Sequence, residues 1–240
     1  MKKISYKIFQ KYISNIIIAL ALILVSFLTF QGGVVGVFSS NENLIYYNGN
    51  EKNNTVSLMF NVYMGNEYVE QILQVLEEKK VKATFFVGGI WVEKNNECFM
   101  NIYESGNEIA SHGYWHKDHS KISDEQQANE ILLTDDLVCT LTGLKMTLFA
   151  PPSGAFNKKT SKIAKELGYK TIMWSKDTID WRDQDVDLIV KRATNKVKAG
   201  DLILMHPTKA TADALGQIID NILKQNLKIN TVSSNIYIEI

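Results

Sequence analysis

Cysteine, proline and histidine are scarce in this chain, which has two, three and four of them among its 240 residues. Cys98 and Cys139 lie too far apart for a zinc-binding cysteine motif or a disulfide framework. We expect both to be buried thiols, and a single disulfide stays open if the domain lies outside the cell. Basic and acidic side chains number 26 each, so the chain has no net charge. This balance, with no basic stripe carrying interleaved aromatic residues, excludes a general nucleic-acid binder.

The first 38 residues combine basic charge with a long apolar run. Four lysines, with no acidic residue among them, precede the run Ile13–Phe30, which extends through Phe38. A segment of this length crosses a bilayer as a helix, and the lysines place its N-terminus in the cytoplasm. No small-x-small cleavage site follows, so we predict an uncleaved anchor rather than a signal peptide or a buried core helix. The rest of the chain then lies outside the cytoplasm, on a single-pass membrane protein.

Residues 39–54 are polar and rich in asparagine, and we predict a linker there. From residue 55 to residue 240 short apolar segments alternate with amphipathic ones, which is typical of parallel β/α folds. The predicted strands are Val56–Phe60, Ala83–Val87, Glu108–Ser111, Met146–Ala150, Lys170–Trp174, Leu202–Met205 and Ile229–Val232. The predicted helices are Glu67–Lys79, Glu97–Ser105, Asp124–Leu141, Lys158–Leu167, Val186–Lys198 and Ala210–Gln225. About seven units are too few for an eightfold barrel, which favours an incomplete (β/α) barrel, with an open doubly wound sheet as the alternative.

Polar residues follow the predicted strands at the points where each strand ends. In parallel β/α folds these positions share the C-terminal face of the sheet, where active sites are built. Turn formation explains the prolines at these junctions but not three of the four histidines. We therefore predict a functional site on this face, formed by Asn61, Tyr63, His112, His116, Pro152, Asp177, Asp180, Trp181 and His206.

His112 and His116 stand four positions apart in the segment that follows the third predicted strand. If the segment coils into a helical turn, both imidazoles project from one face. Two neutral imidazoles placed in this way bind a divalent metal such as zinc. Two surface histidines with a coincidental spacing are the alternative.

His206 suits a general acid, because the pKa of an imidazole lies near neutrality. A hydrogen bond from Asp177 or Asp180 would hold its tautomer. Four aromatic residues are candidate stacking faces for sugar rings, although ordinary packing is the alternative for each: Trp181, Trp115, Trp91 and Tyr63.

In order and spacing, several segments resemble the polysaccharide deacetylases, carbohydrate esterase family four. His112 and His116 match the histidines of the family motif His-[Ser/Thr]-x-x-His. The resemblance covers about residues 55–235 and also includes Lys82–Val87, Asn107–His112, Pro152 with Gly154–Phe156, Asp177–Trp181 and Leu204–His206. It implies a distorted (β/α) barrel of fewer than eight units. It also implies hydrolysis of acetyl groups on a cell-wall polysaccharide such as peptidoglycan, or on chitin, with zinc or a similar metal.

The first family motif is altered in this chain. The family has Thr-Phe-Asp-Asp-Gly where this chain has Met59-Phe60-Asn61-Val62-Tyr63. By this resemblance the first Asp is the catalytic base and the second is the third metal ligand. Asn61 cannot take up a proton at neutral pH, and Val62 cannot bind a metal. Ala150 stands in place of the Arg that partners the base, and Ser153 in place of a Tyr, so the base and its partner are missing together.

Three functions fit this pattern. The first is a membrane-anchored, metal-dependent N-deacetylase in which Asp118, His119 or Glu67 supplies the missing ligand or base. The second is a catalytically impaired member that binds cell-wall glycan. The third is hydrolysis of some other amide-like bond. Because the histidine pair and the acid at His206 are both retained, the sequence favours the first.

Overall fold

The computed structural model describes residues 45–237. Its strands are β1 (Ile45–Tyr46), β2 (Thr55–Val62), β3 (Thr84–Val87), β4 (Glu108–Ser111), β5 (Leu148–Phe149), β6 (Lys170–Ile172), β7 (Lys176–Asp177), β8 (Leu202–Met205) and β9 (Lys228–Ile229). Its helices are α1 (Val69–Glu78), α2 (Gly89–Lys94), α3 (Asn96–Glu104), α4 (Asp124–Thr142), α5 (Lys158–Glu166), α6 (Asp180–Asp183), α7 (Val186–Thr194), α8 (Lys209–Lys224) and α9 (Val232–Ile236).

The strands form one sheet in the order β1-β6-β5-β4-β3-β2-β8-β7, with β9 paired to the start of β2. All of these strand pairs are parallel. Strand β2 is central, since Phe60 pairs with Phe85 of β3 on one side and Met205 of β8 on the other. Every residue of β2 is buried, as expected for a parallel strand covered on both faces.

The sheet curves so far that its two edges approach each other. Strands β6 and β7 lie near opposite ends of the strand order, yet only three residues join them. Such a link spans at most about 14 Å, so the edges must be close. Within the link, the Met173 N–H donates to the Tyr46 carbonyl at 2.8 Å, and the Ser175 N–H donates to the Leu202 carbonyl at 3.1 Å. This joint between the two edges, which we call the seam, produces the incomplete barrel that the sequence predicts.

Alternate residues of each strand enter two different apolar clusters, as the pleat of a strand requires. The outer cluster lies between the sheet and the helices and includes Leu58, Phe60 and Val62 of β2. The inner cluster fills the curved sheet and is built from Met59, Phe86, Ala110, Leu148, Ala150, Ile172, Leu202, Leu204 and Val232. Residues of β6 and β8 share this inner cluster although four strands separate them in the sheet, which agrees with the curvature.

Three expectations about the chain's organisation change. Residues 45–54 are not a plain linker, because Ile45–Tyr46 pairs with β6 and Asn48 bridges to Asp201. The expected strand Ile229–Val232 becomes the short strand β9 followed by helix α9. The described part of the chain has nine strands where about seven are expected, because β1 lies in the predicted linker and the separate strand β7 follows the predicted strand Lys170–Trp174.

The apolar run at residues 13–38 lies outside the described residues. Within residues 45–237, no helix combines the length and apolar character needed to cross a bilayer. The cysteines of the described part are free, and Cys139 is exposed rather than buried, while Cys98 is half-buried.

Candidate functional site

A cavity of about 320 Å³ opens at the C-terminal ends of the strands. Three of the histidines line it together, although His112 and His116 follow β4 and His206 follows β8. The structure thus brings together the side chains that the sequence places on one face. The other lining residues are Asn61, Tyr63, Ser153, Trp174, Asp177, Trp181 and Leu204.

A loop, not a helical turn, brings His112 and His116 together. The segment after β4 has no helical residue, and both Gly113 (φ 75°) and His116 (φ 55°) adopt left-handed backbone conformations. The two imidazole ring centres lie 5.1 Å apart, with the rings at 60° to each other. The two rings are close together, as predicted. The predicted helical turn is wrong, because a loop brings the rings together.

Both imidazoles of this pair are neutral near pH 7. Burial, helped by the neighbouring His116, lowers the pKa of His112 well below its usual value. Burial also lowers the pKa of His116, against a hydrogen bond to its own backbone. Nδ1 of His112 lies 2.8 Å from the Ala150 carbonyl oxygen, so Nδ1 carries the proton and Nε2 keeps the lone pair. Nε2 of each ring is buried, with no hydrogen-bond partner among the described residues.

Glu130 of α4 holds the loop that carries these histidines. Its Oε2 accepts the Trp115 backbone N–H at 2.9 Å. Burial raises the pKa of the Glu130 carboxyl, and the backbone N–H groups of Trp115, Lys117 and Tyr114 oppose that rise. Gly113 has a φ of 75°, which favours glycine, and a Cβ atom there would also lie 2.9 Å from Oε2.

His206 and Asp180 form the second half of the site. Nδ1 of His206 donates to Oδ1 of the fully buried Asp180 at 2.8 Å, which leaves Nε2 of His206 for a ligand. Asp180 also accepts the His206 backbone N–H at 2.6 Å, the Thr211 hydroxyl at 2.5 Å and the Trp181 backbone N–H at 2.9 Å. These four bonds fix the carboxylate and the imidazole relative to each other.

Of the two candidate partners for His206, the structure selects Asp180. Asp177 instead accepts the Ile179 backbone N–H at 2.8 Å and lines the cavity. Its half-buried carboxylate is available to a ligand hydroxyl group rather than to the imidazole.

Asn61 and Val62, the two altered positions of the first motif, place their side chains on opposite faces of β2. Asn61 lines the cavity and is 3% exposed, and its Oδ1 has no partner within the described chain. Val62 is fully buried in the outer cluster, on the side of the helices. Ala150 is fully buried in the inner cluster.

The residues present do not make a complete catalytic zinc site. The two free Nε2 atoms are suitable ligands, but a catalytic zinc takes three protein ligands. In the described part of the chain, no group of three His, Cys, Asp or Glu side chains is arranged to hold a metal ion. Val62, at the expected third position, offers no donor atom and points away from the cavity.

None of the three residues considered as replacements joins the histidine pair. Asp118 is paired with Lys121 at 2.8 Å. Glu67 caps the Asn66 backbone N–H at 3.0 Å. His119 is buried against Phe149, with ring centres 4.9 Å apart, and burial lowers its pKa to about 4.

The aromatic candidates separate into two groups. Tyr63 and Trp181 line the cavity, and Trp181 is 57% exposed at its mouth. Trp115 is exposed outside the cavity lining, where Lys117 lies 4.8 Å from its ring. Trp91 is buried and donates to the Gly65 carbonyl at 2.6 Å, so its role is packing.

Two lining residues differ from the sequence-based prediction. Pro152 is buried and does not line the cavity, whereas the adjacent Ser153 does. Trp174 also lines it, although the sequence pattern placed this residue at the end of a strand. Trp174 lies in the seam, where the chain passes from β6 to β7, and its indole therefore reaches the cavity. The strand order, which the sequence pattern does not give, is needed to predict this position.

Comparison with known proteins agrees with this architecture. The sequence model of the polysaccharide deacetylase family matches residues 48–172. The uncharacterized protein YlxY of Bacillus subtilis is 38% identical over 187 residues, which are 78% of this chain and 59% of YlxY. A peptidoglycan-N-acetylglucosamine deacetylase of Bacillus cereus is 35% identical over 173 residues, covering 69% of this chain and 80% of that enzyme.

The solved structures include proteins described as lacking activity. A CE4 family pseudoenzyme from Bacillus anthracis matches with a TM-score of 0.78 and 34% identity, over 80% of this chain and 69% of the other. A mutant of that pseudoenzyme, described as having restored enzymatic activity, matches with a TM-score of 0.78 and 33% identity, over 80% of this chain and 71% of the other. The fold, the histidine pair and these matches show that the chain belongs to the polysaccharide deacetylase family, carbohydrate esterase family four, as a divergent member without the acidic first motif.

Proposed function

We propose that this domain binds N-acetylated cell-wall glycan of the peptidoglycan type and has little or no deacetylase turnover. One observation carries the proposal: the residue facing the cavity at the place of the family's base is Asn61, a neutral amide. An amide oxygen accepts a hydrogen bond but does not take up a proton at neutral pH. At the position where a deacetylase needs a base, this site therefore has a hydrogen-bond acceptor that can recognise a ligand.

The chemistry of the cavity matches an N-acetylated sugar. The buried Oδ1 of Asn61 has no partner in the described chain, and the N–H of an acetamido group is a suitable donor for it. Exposed Trp181 provides an apolar ring face for a sugar, and Asp177 provides a carboxylate for hydroxyl groups. The Bacillus cereus relative is a peptidoglycan-N-acetylglucosamine deacetylase, which supports the same class of polymer.

Binding is tested with N-acetylglucosamine oligomers and with the same oligomers after chemical removal of their acetyl groups. We expect wild-type chain to bind the acetylated series at least about tenfold more tightly. Asn61→Ala should remove that preference, while Asn61→Asp, which keeps an acceptor oxygen, should retain most of it. Equal affinity of wild-type chain for both series would contradict this function.

The second candidate is a working deacetylase, which the intact pair of His206 and Asp180 favours. With the base position filled by Asn61, we expect no acetate release from peptidoglycan or from the oligomers above a protein-free control. Acetate release that falls by about 10²–10⁴ in His206→Ala would make the deacetylase the correct function.

The proposal also includes an anchor formed by residues 1–38, which places the domain at the outer face of the cell membrane. We expect the full chain to stay with membranes after alkaline carbonate washing and to be digested by protease added to spheroplasts. Removal of residues 1–38 should release it into the soluble fraction. Release of the full chain by carbonate alone would contradict anchoring.

A further inference from the structure

Tyr63 stands among all three histidines of the cavity. Its ring stacks on His116, with ring centres 3.7 Å apart and an angle of 17° between the planes. The ring centre of Tyr63 is 5.8 Å from that of His112 and 6.3 Å from that of His206. No other aromatic contact within residues 45–237 links one ring to three imidazoles.

The two imidazoles are shielded from solvent at their Nε2 atoms, which are the atoms that would bind a metal. Nε2 of His112 and Nε2 of His116 are both buried, and neither has a hydrogen-bond partner in the described chain. Buried lone pairs without partners are unfavourable, because each has lost its hydrogen bond to water. Other atoms of both rings line the 320 Å³ cavity, so a neighbouring group must cover the two Nε2 atoms themselves.

The ring of Tyr63 is positioned to be that cover. It lies face to face with His116 and lines the main cavity together with both imidazoles. It also lines a neighbouring cavity of about 150 Å³ with Met64 and Pro207. Tyr63 thus borders both cavities, with its ring face against His116.

We propose that Tyr63 determines what the site accepts: its ring excludes metal ions and other ligands from Nε2 of His112 and Nε2 of His116. The part of the cavity beside Asn61, Asp177 and Trp181 is then left for a sugar. This inference rests on the proposed function, which assigns the cavity to glycan binding. The ring of Tyr63 is a steric obstacle to metal binding, in addition to the absence of a base at Asn61 and of a metal ligand at Val62. A site that has lost only a base and a ligand would still expose its imidazoles.

The test measures access to the imidazoles of the full-length chain. Diethylpyrocarbonate acylates accessible neutral imidazoles, and peptide mass spectrometry reports the rate at each histidine. We expect His112 and His116 to be protected in wild-type chain and in Tyr63→Phe, which keeps the ring. In Tyr63→Gly both should react faster, by about tenfold or more. Circular dichroism of each variant reports whether the fold stays intact.

Zinc binding by equilibrium dialysis gives a second measurement on the same proteins. We expect Tyr63→Gly to bind zinc at least about tenfold more tightly than wild-type chain, and Tyr63→Phe to match wild type. Tyr63→Ala repeats both measurements with a side chain that constrains the backbone more than glycine does. Equal reactivity and zinc affinity in wild type, Tyr63→Phe and Tyr63→Gly would overturn the inference. So would zinc binding to wild-type chain as tight as to Tyr63→Gly.

The oligomer-binding measurements keep this inference separate from the proposed function. If wild-type chain binds no oligomer while Tyr63→Gly exposes the imidazoles, glycan binding is wrong and shielding by Tyr63 is confirmed. If wild-type chain prefers acetylated oligomers while Tyr63→Gly leaves the reactivity of the histidines unchanged, shielding by Tyr63 is wrong and glycan binding is confirmed.

Discussion

At the scale of single residues, unpartnered polar atoms are the most informative feature of this domain. Asn61 Oδ1 and the Nε2 atoms of His112 and His116 are buried and have no partner among the described residues. In folded proteins such atoms are uncommon, since each one costs about 1–3 kcal/mol. Three of the nine such atoms among the described residues belong to the lining of one cavity, which favours a site shaped for a ligand.

His119 gives a stability prediction at this scale, because it is fully buried and neither ring nitrogen has a partner within residues 45–237. Burial holds its pKa at about 4, compared with 6.5 for an unperturbed imidazole. Between these values the unfolded chain binds a proton that the folded chain does not. The free energy of unfolding should therefore fall as the pH is lowered from 6.5 to 4, by up to about 1.4 kcal/mol per pH unit from this group.

The variant His119→Phe keeps a ring against Phe149 and cannot titrate. Urea unfolding of both proteins between pH 4.5 and pH 7.5 measures the difference. We expect the variant to lose less stability in acid than the wild type. Parallel pH profiles would contradict the assignment.

At the scale of elements, the register of β2 decides which substitutions the site can accept. Asn61 faces the cavity, whereas Val62 belongs to the outer cluster with Phe60. A carboxylate at position 62 would be buried among apolar side chains unless the end of the strand were rebuilt.

Helix α4 gives a prediction at the same scale. It begins with a capping box, Ser123 with Gln126, and places buried Glu130 under the histidine loop. Glu130→Ala leaves the partly buried Trp115 N–H without its acceptor, and we expect a loss of about 1–3 kcal/mol in the free energy of unfolding. Glu130→Gln, which keeps one acceptor oxygen, should lose less.

The exposed Glu125 on the same helix offers a matched control. Glu125→Ala should change the free energy of unfolding by no more than about 0.5 kcal/mol. Denaturant unfolding at neutral pH measures all three variants. An equal, small effect for Glu130→Ala and Glu125→Ala would show that the loop does not depend on this carboxylate.

At the scale of the whole molecule, the seam converts a sheet into an incomplete barrel. Gly49 N–H donates to the Gly200 carbonyl at 2.7 Å, and the Ser175 hydroxyl donates to Asp201 at 2.8 Å. These bonds, with β1 beside β6, hold the two edges near each other. Because Trp174 and Asp177 reach the cavity from the seam, the shape of the site depends on it.

Removal of residues 45–54 should therefore destabilise the domain. We expect a chain that begins at residue 55 to melt at least about 5 °C below one that begins at residue 45, as followed by circular dichroism. It loses β1 and the bond from the Asn53 side-chain amide to the Tyr237 carbonyl, which is 2.9 Å long. Equal melting temperatures would show that these residues act only as a linker.

The sequence by itself determined the alternation of strands and helices, the face on which the polar residues gather, and the family. These follow from local patterns, because hydrophobic periodicity and the residues after each strand depend on near neighbours along the chain. The pairing of His206 with an aspartate was also predictable, although not the choice of Asp180 over Asp177.

Only the tertiary structure decided the rest. That His112 and His116 meet through a loop, that Trp174 enters the cavity and Pro152 does not, and that β1 joins the sheet all depend on contacts between distant segments. The position of Tyr63 over the imidazoles is of the same kind. The three imidazoles around it come from segments more than 40 residues away, and no local pattern encodes how side chains from such segments pack together.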